Sequence, residues 1–366
     1  MIRVFHIITS LNLGGAERVA INIAKSQNKE IEYHIVEIIR GRSAFTKQLI
    51  SELENNGIIY HRSIFPVLIH FHYLFEKTVA CLFPLQFLFL WLRYRPNIIH
   101  SHTEMPDMAV WLLQKFFPFM KMKIVRTIHN TKLWSGMDFI GPHIERFMQH
   151  HATNVSISSN VEQAYLEHYG VHTPIIYNGM FPTSQLHYEG IVKDKTNICF
   201  AGRFEEQKGI STLCEIIRHL KDNPRYHFHI FGSGRLQHLV NAIATQENVS
   251  VSPPLHGISS YLSSFDYLIM PSLHEGLSIL ALEASFNGLP VMINHCAGLY
   301  DTLPNEWPLV VQDNNISQWL HLFNDVLPSI DRSALKKEAY DFVLDNFSVE
   351  KMQREYERLY TETQTK

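Results

Sequence analysis

The sequence is poor in the features that mark secreted, thiolate-metal or nucleic-acid-binding chains. Cysteine is scarce: four residues, Cys81, Cys199, Cys214 and Cys296, are scattered through 366 positions without paired spacing. That pattern excludes a disulfide framework and fits reduced structural thiols in a cytosolic protein. No G-x-G-x-x-G follows the first strand pattern of either half, which argues against a dinucleotide-dependent oxidoreductase. Long apolar runs are also missing. The nearest, "VACLFPLQFLFLWLRYRP" at residues 79–96, is uncharged only from Thr78 to Leu92, short of the ~20 residues a spanning helix needs. Glu76, Lys77 and Pro84 interrupt anything longer. A buried helix of the first domain is expected there, with an apolar face against a bilayer, ending in Arg93 and Arg95, as the alternative. The opening "MIRVFHIITSLNLGG" has a short apolar run and no small-residue cleavage site, so it reads as a first strand and not as a signal peptide.

Excess charge is lacking too. A formal net charge of −3 excludes a strongly basic nucleic-acid binder, although the total hides an asymmetry. Lys and Arg against Asp and Glu give 17 − 13 = +4 for residues 1–180 and 15 − 22 = −7 for residues 181–366. A mildly basic first half is suited to phosphates or to an anionic membrane surface.

What is present is alternation. "VFHIITS", "EYHIVEII", "NIIHSH", "KIVRTIHN", "TNVSIS" and "PIIYN" are short β-rich runs separated by helical patterns, as expected of a parallel sheet covered on both faces. After a looser stretch near residues 180–195 the pattern repeats in "NICFAGR", "HFHIFGSG", "VSVSPP", "DYLIMPS", "PVMIN" and "PLVV". Two α/β domains follow, 1–180 and 181–345.

Ligands of such sheets bind beyond the carboxyl ends of the strands, so the residues after each run are the informative ones. The Gly14–Gly15 pair lets backbone approach a ligand while the next helix offers free N–H groups to an anion, although most such pairs only make a turn. Arg203 and Lys208, in "AGRFEEQKGI", suit a diphosphate: one bidentate, the other a mobile point charge. On their own, solvated loop charges are the simpler account. Gly232 and Gly234 of "FGSG" clear a wall for a flat base, or serve turn chemistry alone. In "PSLHEGLSILALEASFNGLPV", Glu275 lies on a loop, Ser278 is placed to cap a helix, and Glu283 falls in that helix's second turn. Amides after Ser278 would face a phosphate held by Arg203 and Lys208, with the carboxylates accepting from hydroxyls on either side.

Taken in order, "LGGAER", "IIHSH", "TIHN", "SISSNVEQAYL", "IIYNGM", "AGRFEEQKGI", "FGSG" and "PSLHEGLSILALEASFNGLPV" resemble glycosyltransferase family 4 nearly end to end. The resemblance implies the GT-B architecture of two facing Rossmann-like domains with a donor cleft between them, and a terminal helix, 346–366, packing back toward the first domain. It further implies that Gly14 and Gly15 lie near the donor phosphate and that His129 lies beside the transferred sugar. Arg203 and Lys208 would bind the diphosphate and Glu275 the sugar hydroxyls. Glu283 would hold the ribose, with the backbone of Gly276, Leu277, Ser278 and Ile279 at the phosphates. The implied activity is retaining transfer of a hexose or N-acetylhexosamine from a nucleotide-diphosphate sugar, UDP favoured, to a lipid-linked or oligosaccharide acceptor in bacterial surface polysaccharide synthesis. The implied place is the cytoplasm, peripheral to the membrane. A GT-B-shaped binding protein without turnover is the alternative, disfavoured because every charged position of the pattern is kept.

Two departures stand out. Where the family has Gly-Gly after "GLPV", this chain has "INHCAG" with a lone Gly298, and Leu277 replaces a frequent aromatic. Histidine is abundant, at 22 residues. The pairs in "HFH" at 70–72, "HSH" at 100–102 and "HFH" at 227–229 each give two nitrogens from one strand, which do not make a metal site. No metal and no cofactor are expected, because Arg203, Lys208 and helix amides supply the positive charge.

Overall fold

The computed structural model describes residues 1–12, 15–65, 72–275, 277–296 and 298–362, without the side chains of 44 and 72–77. Gly14, Gly276 and the first two residues of the "HFH" at 70–72 lie outside the described residues. The chain divides into two units, Met1–Gly179 with Val349–Lys366, and Met180–Ser348.

In the first unit, β1 (Ile2–Ile8), β2 (Ile31–Glu37), β3 (Ile59–His61), β4 (Ile98–His102), β5 (Lys123–Ile128) and β6 (Ala152–Ser156) form a parallel sheet in the order β3-β2-β1-β4-β5-β6. Its helices are α1 (Gly15–Ala24), α2 (Ala44–Asn55), α3 (His72–Tyr94), α4 (Glu104–Phe116), α5 (Gly141–His151) and α6 (Ser159–Tyr169). Both faces of β1 are buried, as a sheet covered on two sides requires. Val4 and Ile8 belong to one core with Val19 and Ile23 of α1, and Phe5 and Ile7 to another with Phe83 and Phe87 of α3.

Two sequence expectations need correction here. "PIIYN" makes only a single bridge, Ile175 to Ser156, because Pro174 has no N–H to extend a ladder. The sixth strand is the short run Ile59–His61, at the opposite edge of the sheet. Pro84 does not interrupt the apolar segment but sits inside α3. That helix is half buried: Val79, Phe83 and Phe87 enter the core, while Leu85 and Phe89 are 57% and 73% exposed. Among the described residues no helix is long and apolar enough to cross a membrane.

In the second unit, β7 (Thr196–Arg203), β8 (Tyr226–Ser233), β9 (Val249–Ser252), β10 (Tyr267–Met270), β11 (Val291–Asn294) and β12 (Val310–Val311) form a parallel sheet in the order β12-β11-β10-β7-β8-β9. Helices α7 (Ile210–His219), α8 (Gln237–Asn241), α9 (Ile279–Phe286), α10 (Ile316–His321) and α11 (Arg332–Phe347) accompany it. The residue-345 boundary expected from sequence falls inside α11, whose Leu335 and Ala339 enter the second unit's core. The last helix, α12 (Val349–Thr361), belongs to the first unit, where Val349, Met352, Tyr356 and Tyr360 join the α1 core.

Each sheet has the Rossmann strand order. The order reverses between β1 and β4 in one unit and between β7 and β10 in the other, and a ligand crevice opens at such switch points. The end of β5 is held by a buried ion triad. Arg126 donates from Nε to Asp107 at 2.7 Å and from both terminal nitrogens to Glu145 at 2.8 and 2.9 Å. Trp134 Nε1 also donates to Glu145, at 2.8 Å. Burial pushes the Asp107 carboxyl up to about 6 despite Arg126 beside it.

Candidate active site

In the second unit the loops after β7 and β10 are joined by one backbone and one side-chain hydrogen bond. Leu273 N donates to the Gln207 carbonyl at 2.8 Å, and Gln207 Nε2 donates to the His274 carbonyl at 3.2 Å. Gly209 makes the approach feasible: its φ is +66°, and a Cβ there would stand 1.9 Å from the Pro271 carbonyl oxygen. Only glycine fits both the conformation and the space. The consequence is an ion pair, Lys208 Nζ to Glu275 Oε1 at 2.7 Å, with Glu275 9% exposed and Lys208 21%. Two residues 67 positions apart in sequence thus meet at the switch point. Arg203, the last residue of β7, is exposed beside them in sequence.

Beyond the pair, Ser278 caps α9: its hydroxyl accepts from Ala281 N, and its own N–H donates to the Gly298 carbonyl at 3.0 Å. Gly298, at φ +73°, therefore brings the segment after β11 against the start of α9. Ile279 is exposed, and the free amides of the first turn are available to an anion. Burial raises the Cys296 thiol to about 11, with the Glu275 charge adding to the effect.

A cavity of about 290 Å³ opens at the ends of β7 and β8, with Arg203, Gly232, Pro254, Leu255, Ile258 and Leu280 in its lining. Glu283 lies one helical turn beyond Leu280, hence on the same face of α9. Burial raises the Glu283 carboxyl, and a hydrogen bond to Ser259 opposes the rise. The glycines of "FGSG" have a structural task of their own. A Cβ on Gly232 would meet the Gly202 carbonyl at 2.0 Å, and one on Gly234 the Phe204 carbonyl at 2.5 Å. Both let β8 close on β7, and Gly232 also lines the cavity. Pro254, Leu255, Ile258 and Ser259 were missed from sequence, though they follow β9 and the strand-end rule applied there too.

In the first unit, Gly15 opens α1, with open space where its Cβ would be. The buried Glu37 carboxylate accepts from the amides of Leu11 and Gly41, each at 3.2 Å, fixing the loop that leads toward Gly15. Nothing in a single strand-end acid announced that role. His129 follows β5, partly exposed, with Nε2 3.5 Å from His102 Nδ1. His102 Nε2 in turn lies 3.0 Å from Nδ1 of the buried His6.

The "HSH" pair is thus joined by a third histidine from β1: one nitrogen each from His6, His100 and His102 lie within 4.8 Å of one another. Strand-by-strand inspection could not pair β1 with β4. His100 is already engaged, with Nδ1 at Tyr360 Oη and Nε2 at Thr127 Oγ1, both 2.7 Å. The pair on β8 is engaged as well, His227 with Ser250 and His229 with Asn197, each at 2.8 Å.

Two Rossmann-ordered units in one chain, the second with an acid–base pair and a capped helix at its switch point and a cavity at the neighbouring strand ends, are the GT-B fold. Residues 13–182 match the family model for Glycosyltransferase Family 4, and residues 195–327 that for Glycosyl transferases group 1. The chain belongs to the family 4 glycosyltransferases. It is 27% identical over 370 residues to an uncharacterized 41.2 kDa protein in the cps region of Klebsiella pneumoniae, spanning 89% of this chain and 98% of that one. It is 25% identical over 302 residues to the capsular polysaccharide biosynthesis glycosyltransferase CapH of Staphylococcus aureus, spanning 78% and 79%. Its fold resembles that of Anabaena Alr3699/HepE, solved with UDP and glucose. The TM-score is 0.66 at 16% identity, over 99% of this chain and 100% of that one.

Proposed function

We propose that the protein transfers a hexose or N-acetylhexosamine, with retention, from a nucleotide-diphosphate sugar to a lipid-linked glycan in bacterial surface polysaccharide synthesis. The observation that carries this reading is the Lys208–Glu275 pair at the switch point, beside the capped start of α9 and the cavity at the ends of β7 and β8. The chemistry divides along that line. The cavity takes the base, Glu283 the ribose, and the α9 amides with Arg203 and Lys208 the diphosphate. Glu275 accepts from the sugar hydroxyls, and the family pattern assigns His129 to a sugar oxygen. UDP is the favoured nucleotide, in keeping with the UDP held by the Anabaena protein, and the surface-polysaccharide role with CapH and the cps-region relative.

Retention follows from the roles already taken. Glu275 and Glu283 are committed to hydroxyls, and His129 is a poor glycosyl nucleophile, so no side chain is left for a double displacement. The bond from the anomeric carbon to the β-phosphate oxygen breaks while the acceptor oxygen attaches from the same face. The departing phosphate oxygen takes the acceptor proton, and Arg203 and Lys208 stabilise the charge that grows there, without a metal. The deciding experiment incubates UDP-, GDP- and ADP-sugars with a polyprenyl-linked acceptor and reads the product by NMR. An α-linked product from an α-linked donor is expected. A β-linked product refutes retention, a trapped glycosyl-enzyme refutes the front-face route, and donor binding without transfer refutes the enzyme.

A further inference from the structure

We infer that His6, His102 and His129 form a one-way chain of imidazole hydrogen bonds that holds His129 with its proton on Nδ1, so that it meets substrate as an N–H donor. The inference rests on the reading that His129 touches the transferred sugar, and it specifies what His129 offers there. The geometry supplies two links, His6 Nδ1 to His102 Nε2 at 3.0 Å and His102 Nδ1 to His129 Nε2 at 3.5 Å. They run across neighbouring strands, from β1 to β4 to the end of β5.

A neutral imidazole has one N–H and one lone pair, so three in series can be ordered in only two ways. If His6 donates from Nδ1, then His102 donates from Nδ1 to His129 Nε2, and the His129 proton sits on Nδ1. If the order is reversed, His6 must carry its proton on Nε2. That atom decides between them: His6 is fully buried, and its Nε2 has no hydrogen-bond partner among the described residues. An N–H without an acceptor is rarer in protein interiors than an acceptor left bare, so the first order is favoured. All three rings stay neutral near pH 7. Burial lowers His6 to about 3 and His129 to about 4, and lowers His102 well below the usual range. No carboxylate is hydrogen-bonded to any of the three among the described residues.

A metal is the competing use of His6 and His102, with His100 as third ligand. It would have to displace one of the two hydrogen bonds that His100 makes to Tyr360 and Thr127, and replace the hydrogen bond between His6 and His102. The hydrogen-bonded chain keeps every one of these contacts. Its chemical consequence is that His129, a neutral donor, supports a sugar oxygen and cannot take the acceptor proton. His6 and His102 act as positioning residues.

The test is long-range ¹H–¹⁵N NMR of protein labelled at histidine, with the His129 signals assigned by their loss in His129→Asn. A proton on Nδ1 and none on Nε2 is expected in the wild-type protein. In His6→Leu the His129 signals should shift toward a mixture of tautomers and kcat should fall roughly tenfold, the loss of one hydrogen bond at the transition state, with donor KM within about twofold. His6→Asn, whose amide stands where Nδ1 stood, should restore both. A His129 proton on Nε2, or one equivalent of divalent metal in the purified protein, overturns the chain. If the proton is on Nδ1 but no nucleotide sugar is turned over, the tautomer stands and the transferase reading falls.

Discussion

Gly209→Ala is the sharpest test of how the site is assembled. A methyl group at residue 209 would stand 1.9 Å from the Pro271 carbonyl oxygen, about 1.5 Å short of ordinary contact, and the residue would be held at φ +66°. The backbone strain costs ~1–2 kcal/mol and the overpacking ~1–3, offset by ~0.4–1 from the stiffer unfolded chain. A net loss of roughly 2–4 kcal/mol lowers the melting point of a unit this size by roughly 5–15 °C. Gly288→Ala is the matched control: its φ is +64°, yet nothing lies within 4 Å of the added methyl. That variant should lose about 1 kcal/mol and about 2–4 °C. The difference isolates the clash with Pro271. Relief of that clash pushes the loops away from each other, and Lys208 loses its register with Glu275. A displacement of about 1 Å at a reacting centre costs on the order of a hundredfold in rate. The assays are calorimetry and steady-state transfer. Equal melting points for the two variants, with full activity in Gly209→Ala, would refute the account of how these loops are joined.

Glu275→Gln should lower kcat by a factor equivalent to ~2–4 kcal/mol in a folded protein, whereas Glu283→Gln should mainly raise donor KM. Steady-state kinetics with varied donor separates the two, and the reverse pattern would exchange their roles. Stability should be fullest above pH 6.5 and fall with acid, because His6 and His129 are depressed to about 3 and about 4 in the folded state and the unfolded chain binds their protons first. Each adds ~1.4 kcal/mol per pH unit to the slope below 6.5, so urea unfolding of His6→Leu should show a shallower dependence. Asp107, raised to about 6, opposes this between pH 4 and 6, since its contribution is lost as pH rises. Exposed Leu85 and Phe89 on α3, in a basic first unit, should bring the protein to anionic vesicles at low salt. Flotation checks it, with Phe89→Asp expected to release the protein and no association at low salt counting against it.

Much of the fold could be read ahead because its cause is local. Buried parallel strands such as "VFHII" and "HFHIF" must be continuously apolar or hydrogen-bonded, and the turns after them carry glycine and caps. Ser278 could be placed as an N-cap from its spacing alone. What could not be read is what depends on strand order. His6 meets His102 because β1 lies beside β4, and Lys208 meets Glu275 because β7 lies beside β10. Sequence spacing carries neither fact. The edge of the first sheet went astray for a related reason: Pro174 and Ile59 differ in the backbone donor they bring to a neighbour, whereas their apolar surroundings look alike. Pro84 misled in the opposite direction, since α3 continues through it, with Val79, Phe83 and Phe87 packed in the core on either side of it.

The return of α12 to the first unit sets an order of events during synthesis. Tyr356 and Tyr360 are interior residues of a domain whose other members end at Gly179. The whole second unit, Met180–Ser348, is translated in between. At an elongation rate of ~5–20 residues per second that interval is roughly 10–30 s. Throughout it, the ribosome-bound first domain has His100 without Tyr360 and an α1 surface without its cover, whereas the second domain lacks none of its residues once Ser348 is made. The second domain is therefore the one expected to reach its native state first, and the amino-terminal domain to be the chaperone's client until α12 emerges.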